Sequence, residues 1–344
     1  MMLIPSQRLK WLPKNVRLAH EYCFFLHDEF TRILVEYEAA EAHIVSFRFS
    51  DDTEREKFER LAKKQDVVAA LRALDRHSEA RRVILNTITM AMVSDCAHHI
   101  YEGLCCLEKR KVVPAFNLLR KPLLDNLTYL SWMVADEDEF YAAFTSGDQT
   151  KMTQKTIGNR RKDIFEKAIE KADLKGIVDA EEIISGIFDA ANHDGLYLFF
   201  QHAVHLITVE RIELKTSPEN FNFIFKNPAD DDVYELLYAT LPTVLLYMTH
   251  LILALYQRVK PIDPGARKAL LFRSDNAYRL LHYEGGASAL ARTISGTLSS
   301  QVKCTACGTP LKVTCHNAAR LFLSDSFRCT RCRRISPFPL SWIF

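Results

Sequence analysis

The feature that most limits how this chain can fold is a run of 21 residues, 236–256, without one formally charged side chain. Such a run cannot stay in water. Either it crosses a bilayer, whose core needs about 20 apolar residues, or it forms the middle of a large protein core. Pro242, His250 and the tyrosines and threonines within the run, with no second run of the kind in the sequence, favour a buried helix. No membrane partner is expected. The rest of the chain must then surround that helix, so the sequence predicts a mainly α protein with a multi-helix bundle as its body.

Apolar spacing supplies the surrounding helices. Leu26, Phe30, Ile33, Tyr37, Ala40, Ile44 and Phe47 alternate spacings of four and three, which predicts one long helix over 15–49 with a seam that needs a partner. Ser50 to Glu54 supply capping residues for a second helix that turns Phe58, Leu61, Val68, Leu71 and Leu74 inward. A third helix is predicted over 82–109 and a fourth, opened by Pro114, over 114–136. A charged helix follows over 148–173, then shorter ones near 179–191 and 195–208. Residues 213–232 read as a structured loop, and 263–284 as a last amphipathic helix. Gly285, Gly286 and the small residues after them read as a linker. The expected organisation is a helical body over 1–284, a linker over 285–300, a zinc ribbon over 301–335 and an apolar tail over 336–344 that packs on the body or on a second subunit.

The ribbon is read from four cysteines. Cys304 with Cys307 and Cys329 with Cys332 are two Cys-x-x-Cys pairs separated by 21 residues. This is the spacing of a four-thiolate site closed around one structural Zn2+. Gly308 gives the first pair a permissive turn. Short β-type runs at 311–314 and 321–324 are expected to form a hairpin carrying the second pair, with Cys315 and His316 at its tip as substitute ligands. A disulfide reading would need an oxidising compartment. Cys23, Cys96, Cys105 and Cys106 lie in apolar helical patterns and read as buried thiols, and the first residues lack the order of a signal peptide, so a reducing, cytoplasmic setting is expected.

Charge is divided unevenly. From residue 300 onward seven basic residues face one acid, whereas the body carries 38 basic and 42 acidic residues. Arg328, Arg331, Arg333 and Arg334 are therefore candidates for contact with the phosphates of RNA or DNA. The alternative is a solubilising face, or one that docks on a protein partner.

Phosphate-loop, dinucleotide, zinc-protease and serine-hydrolase signatures are missing. The best polar group in the body is Asp95, His98, His99 and Glu102, spaced to share a helix face. A histidine held by a carboxylate is how a general base or a metal ligand is oriented, and also how a buried histidine is satisfied in a core. Arg120, with Asn117 and Asp125 near it, sits in an apolar helix and needs a carboxylate or a cleft. His202 and His205 share a face on a later helix.

The phrase from Ala115 through Leu118, Leu119 and Arg120 to Asp125, an apolar helix after it, and Gln201, His202 and His205 with Thr208 resemble bacterial all-helical families of unknown function. Those are in turn similar to HEPN-type proteins, helical dimers that often act as metal-independent ribonucleases in toxin and phage-defence systems. The resemblance covers about residues 80–260. It implies RNA cleavage in which a histidine deprotonates the ribose 2′-OH and an arginine stabilises the phosphorane, with His99, Glu102, Arg120 and His205 as candidate catalytic residues. The HEPN signature places an arginine a few residues ahead of a histidine, and the pair Arg72 and His77 is its one match. The rival expectation is a non-enzymatic homo-oligomer, assembled through the 26–47 seam and the apolar tail, whose ribbon docks a protein partner.

Overall fold

A computed structural model describes residues 4–207, 216, 231–282, 286–314 and 317–338. The chain is mainly helical. The uncharged run lies inside α12 (Asp232–Val259), the helix the others enclose. Leu237, Leu241, Val244, Leu245, Leu246, Tyr247, Met248 and Leu251 are fully buried along it. Among the described residues this is the one helix long and apolar enough to cross a membrane, and 83% of its most apolar window is buried within the protein.

α1 (Arg17–Ala39) packs lengthwise on α12 and, on another flank, on α4 (His77–Glu108). Leu26, Phe30, Ile33 and Tyr37 are buried there, so this part of the predicted seam is filled within the chain. The helix stops ten residues short of the predicted end. Glu41 takes the left-handed conformation at φ 49°, the amide of Ala42 bonds the carbonyl of Tyr37 at 3.1 Å, and that of Glu41 bonds Glu38 at 2.9 Å. This is a Schellman termination. Ala40, Ile44 and Phe47 therefore leave the seam, Ile44 is exposed, and Phe47 instead meets Phe49 and Phe58.

The predicted second helix is two: α2 (Asp52–Lys64) and α3 (Val67–Arg72), parted at Gln65 and restarted by Asp66, whose carboxylate caps the amide of Ala69. At the start of α2, Asp51 accepts from the amide of Glu54 while Glu54 accepts from the amide and hydroxyl of Ser50. α3, α4 and α9 (Arg161–Lys171) end as α1 does, with Asp75, Arg110 and Asp173 at positive φ and the same pair of amide bonds.

α4 pairs closely with α5 (Val112–Lys121), and the predicted helix after Pro114 continues into α6 (Leu127–Ala135) through one π turn over Pro122–Asn126. Pro122 has no amide to give, and the amide of Leu127 bonds its carbonyl instead. α7 (Glu137–Thr145) follows, capped by Asp136. The predicted charged helix is broken into a short turn, α8 (Gln154–Gly158) and α9, and only α9 has a buried face, against α6. α10 (Ala180–Phe188) and α11 (Tyr197–Val204) match the two shorter patterns. Most of the loop predicted at 213–232 lies outside the described residues.

α13 (Pro264–His282) crosses α1 and α12, and the expected linker is helical, as α14 (Gly286–Leu298). The expected hairpin strands need correction. Leu321 to Ser324 belong to α15 (Ala318–Ser324), because Leu321 and Phe322 are buried against α13 and Phe272 faces Phe322 at 6.0 Å. Residues 311–314 form no strand; the amide of Val313 is tied to the Ser295 hydroxyl of α14 at 2.7 Å. The strands are β1 (Ser326–Arg328) and β2 (Ile335–Pro337), antiparallel with Phe327 opposite Ser336. Of the apolar tail, Phe338 is buried, and 339–344 lie outside the described residues.

Candidate metal centre and adjoining basic cleft

Two backbone knuckles of the same design hold the four cysteines. In the first, Cys304 donates its amide to the carbonyl of Thr309 at 2.8 Å and accepts from Gly308 at 2.9 Å, with Gly308 at φ 66°. In the second, Cys329 donates to Arg334 at 2.9 Å and accepts from Arg333 at 3.0 Å, with Arg333 at φ 62°. An arginine thus takes the left-handed place that glycine takes in the first. β1 and β2 close the second knuckle, and a bridge between Lys303 and Pro310 closes the first.

The four sulfurs lie within 4.8 Å of one another, with Cys304 to Cys332 and Cys307 to Cys329 both at 3.6 Å. A tetrahedron of thiolates at about 2.3 Å from one ion has edges of about 3.8 Å. The cluster therefore has the geometry to bind one metal ion, with no position left open. Hydrogen bonds prepare it for a cation. The Thr309 hydroxyl and amide lower the pKa of Cys307 to about 6, and the amides of Ala306 and Cys307 lower that of Cys304. The amide of Arg334 pulls the Cys332 pKa down, but desolvation together with the three facing sulfurs outweighs it and drives it up to about 11. Four thiolates this close need a positive charge among them. Cys315 and His316 lie outside the described residues.

Beside Cys329 opens a cleft of about 350 Å³, lined by Thr314, Asn317, Arg320, Arg328, Thr330 and Arg333. Among the described residues no carboxylate lines it. Asn317 forms its floor, accepting the amide of Thr314 at 2.6 Å and donating to the carbonyls of Lys312 and Arg328. Arg328 is aimed by its Nε bond to the carbonyl of Arg333 at 3.1 Å, and Arg320 by a bond to the Ser326 hydroxyl at 3.2 Å. Burial lowers the Arg320 pKa; Glu21 of α1 opposes the fall and the neighbouring Arg328 adds to it. Of the four arginines singled out from sequence, Arg328 and Arg333 line this cleft, while Arg331 and Arg334 are exposed on the same knuckle outside the lining. Arg320 was not among them. It stands eight residues before Arg328, and only the turn of α15 brings it alongside.

The body candidates differ in burial and in their hydrogen-bond partners. His99 sits between α4 and α5, with Nδ1 donating to the carbonyl of Leu118 at 3.1 Å and Nε2 3.5 Å from Asp95. Asp95 also accepts from Lys121 at 2.9 Å and Asn126 at 2.7 Å; these bonds outweigh burial and keep its pKa below the usual value. His98 and Glu102 point outward and are exposed. Arg120 is half-buried with a buried Nε that has no hydrogen-bond partner, and among the described residues no hydrogen bond links it to His99. His205 is exposed just past α11, which rests on α5 through Phe116 against Phe199 and Phe200. Arg72 ends α3 and bonds the Tyr141 hydroxyl, whereas His77 begins α4 beyond the reversal at Asp75, so the one signature-like pair does not share a helix.

Sequence reading missed a buried network at the base of α1. The fully buried His20 contacts the Tyr238 hydroxyl through Nδ1 at 2.5 Å and Glu108 through Nε2 at 3.3 Å, and Arg8 grips Glu108 from the surface at 2.9 Å. His20 and Tyr238 are 218 positions apart, so no spacing rule could have joined them. A second buried histidine, His250, donates to the Ser274 hydroxyl at 3.0 Å, because that hydroxyl gives its own proton to the carbonyl of Leu270.

Compared with known proteins, the chain matches no family model, no curated protein sequence and no solved structure.

Proposed function

We propose that the four cysteines hold a structural Zn2+ and that the ribbon so formed binds the sugar–phosphate backbone of a nucleic acid for the helical body. Zinc is favoured because an all-thiolate tetrahedral shell with no open position is the form it takes in structural sites. The observation that carries the binding reading is the one-signed surface around the cluster. Arg320, Arg328 and Arg333 line a cleft that has no carboxylate among the described residues, and Arg331 and Arg334 stand exposed beside it. Guanidinium forks match phosphate oxygens, and releasing counterions from a phosphate backbone supplies the driving force. This reading concerns binding; the ribonuclease implied by the resemblance would rest on His99, Glu102, Arg120 and His205, and among the described residues no hydrogen bond joins His99 to Arg120.

The test is a titration of labelled single-stranded RNA and DNA with the zinc-loaded protein at several salt concentrations. Contact with about four phosphates gives a slope of about −3 in log K against log salt for a single strand. Arg331→Glu with Arg334→Glu should abolish binding at physiological salt while zinc content stays the same. Salt-independent binding, or binding that survives the double reversal, would sink the reading.

A further inference from the structure

The cleft beside Cys329 is more selective than a basic surface needs to be. A flat cationic face suits a backbone whose phosphates pass by in a row, each with one charge and two free oxygens. Here three guanidinium-bearing side chains line one concavity together with the hydroxyls of Thr314 and Thr330. Arg328 repels Arg320, and Glu21 of α1, which is outside the lining, attracts it more strongly, so Arg320 is held as a cation at the edge of the concavity. Three guanidinium forks around one concavity match an anion that offers an oxygen to each of them.

A phosphate monoester carries about −1.5 to −2 charges near neutral pH and presents three acceptor oxygens, one for each fork. The volume of about 350 Å³ lies at the lower end of ligand pockets, which run from about 300 Å³ upward, so it has room for one terminal nucleotide. Among the described residues its lining offers guanidinium, hydroxyl and amide groups and no aromatic ring, which suits a grip on the phosphate and not on the base.

Resting on the nucleic-acid reading above, we infer that this cleft takes the phosphorylated end of a single strand, its terminal phosphate monoester held among Arg320, Arg328 and Arg333. Arg331 and Arg334, on the same knuckle and outside the lining, meet the phosphates that follow.

The experiment compares three labelled oligonucleotides of one sequence on the full-length, zinc-loaded protein by fluorescence anisotropy: one with a 5′-phosphate, one with a 3′-phosphate, and one with hydroxyls at both ends. One phosphorylated oligonucleotide should bind about tenfold tighter than the hydroxyl-ended one, the worth of an added charge-assisted hydrogen bond, and which of the two does so names the end. Arg333→Gln should bring the two affinities together while leaving residual, salt-dependent binding through Arg331 and Arg334. Zinc content and the helical circular dichroism signal confirm that the variant is folded, and Arg320→Gln is the second variant expected to behave in the same way. Equal binding of all three oligonucleotides overturns this inference and leaves the general binding reading in place. Binding of none overturns both. A preference that survives in both variants also overturns the inference, because the end is then held elsewhere.

Discussion

In the body, many polar groups are buried as neutral pairs; in the ribbon, polar groups are gathered around one cluster of sulfurs. Tyr247 gives its proton to Ser131, Tyr234 to the carbonyl of Leu107, and His250 to Ser274, each within an apolar setting supplied by α1, α4, α6, α12 and α13. Among the described residues the ribbon has fewer buried apolar side chains than the body, Leu311, Val313 and Phe327 among them, and Arg331, Arg333 and Arg334 are exposed. Body stability is therefore spread over a large buried area, whereas a ribbon that holds the proposed Zn2+ would draw its stability from one coordination shell.

Removing the metal is the harshest way to break that contrast. Structural zinc contributes about 10–16 kcal/mol in small zinc modules. Chelation, or Cys307→Ser, should make the chain beyond about residue 300 sensitive to protease while most of the helical circular dichroism signal remains. If the body melted together with the ribbon, the two would be one cooperative unit.

Leu245→Ala works from the other side. The side chain is fully buried in α12, and its truncation should lower stability by about 2–5 kcal/mol in denaturant melts. Zinc content of the folded variant should equal that of the parent protein, and a drop would show that the core of the body reaches the cluster.

Acid gives the smallest effect. Burial pushes the His250 pKa down to about 4, against about 6.5 in an unfolded chain. The unfolded state binds the proton more tightly, so the stability contributed by neutral His250 is complete above pH 6.5 and is lost as pH falls toward 4. Melts at pH 5 should show about 2 kcal/mol less stability than at pH 7 from this group, with His20, also depressed by burial, acting in the same direction. His250→Asn should flatten the slope; an unchanged slope would assign the acid sensitivity to other groups.

What could be read in the sequence follows the same division. The core helix was legible because 21 uncharged residues have few places to go, and the metal site because two Cys-x-x-Cys pairs have one common use. Helix ends were not. α1, α3, α4 and α9 all stop on a left-handed residue that is not glycine, at Glu41, Asp75, Arg110 and Asp173. Such a residue adds about 1–2 kcal/mol of local strain, which the two amide bonds and the surrounding packing must offset, and that balance is invisible in a residue name. The ribbon strands were misplaced for a related reason. Leu321 and Phe322 look like strand residues until α13 offers them an apolar face, where a helix buries both.

That same face decides where this protein can be cut. Arg273 of α13 donates to the carbonyl of Phe322 at 3.1 Å, lies over the ring of Phe25 and sits 3.6 Å from both Glu29 and Asp325. α13, α1 and the ribbon meet at this one side chain. A fragment starting at residue 300 would keep all four cysteines yet bring Leu321, Phe322 and Phe338 into water, so anyone preparing the ribbon by itself should carry α13 and α14 along with it.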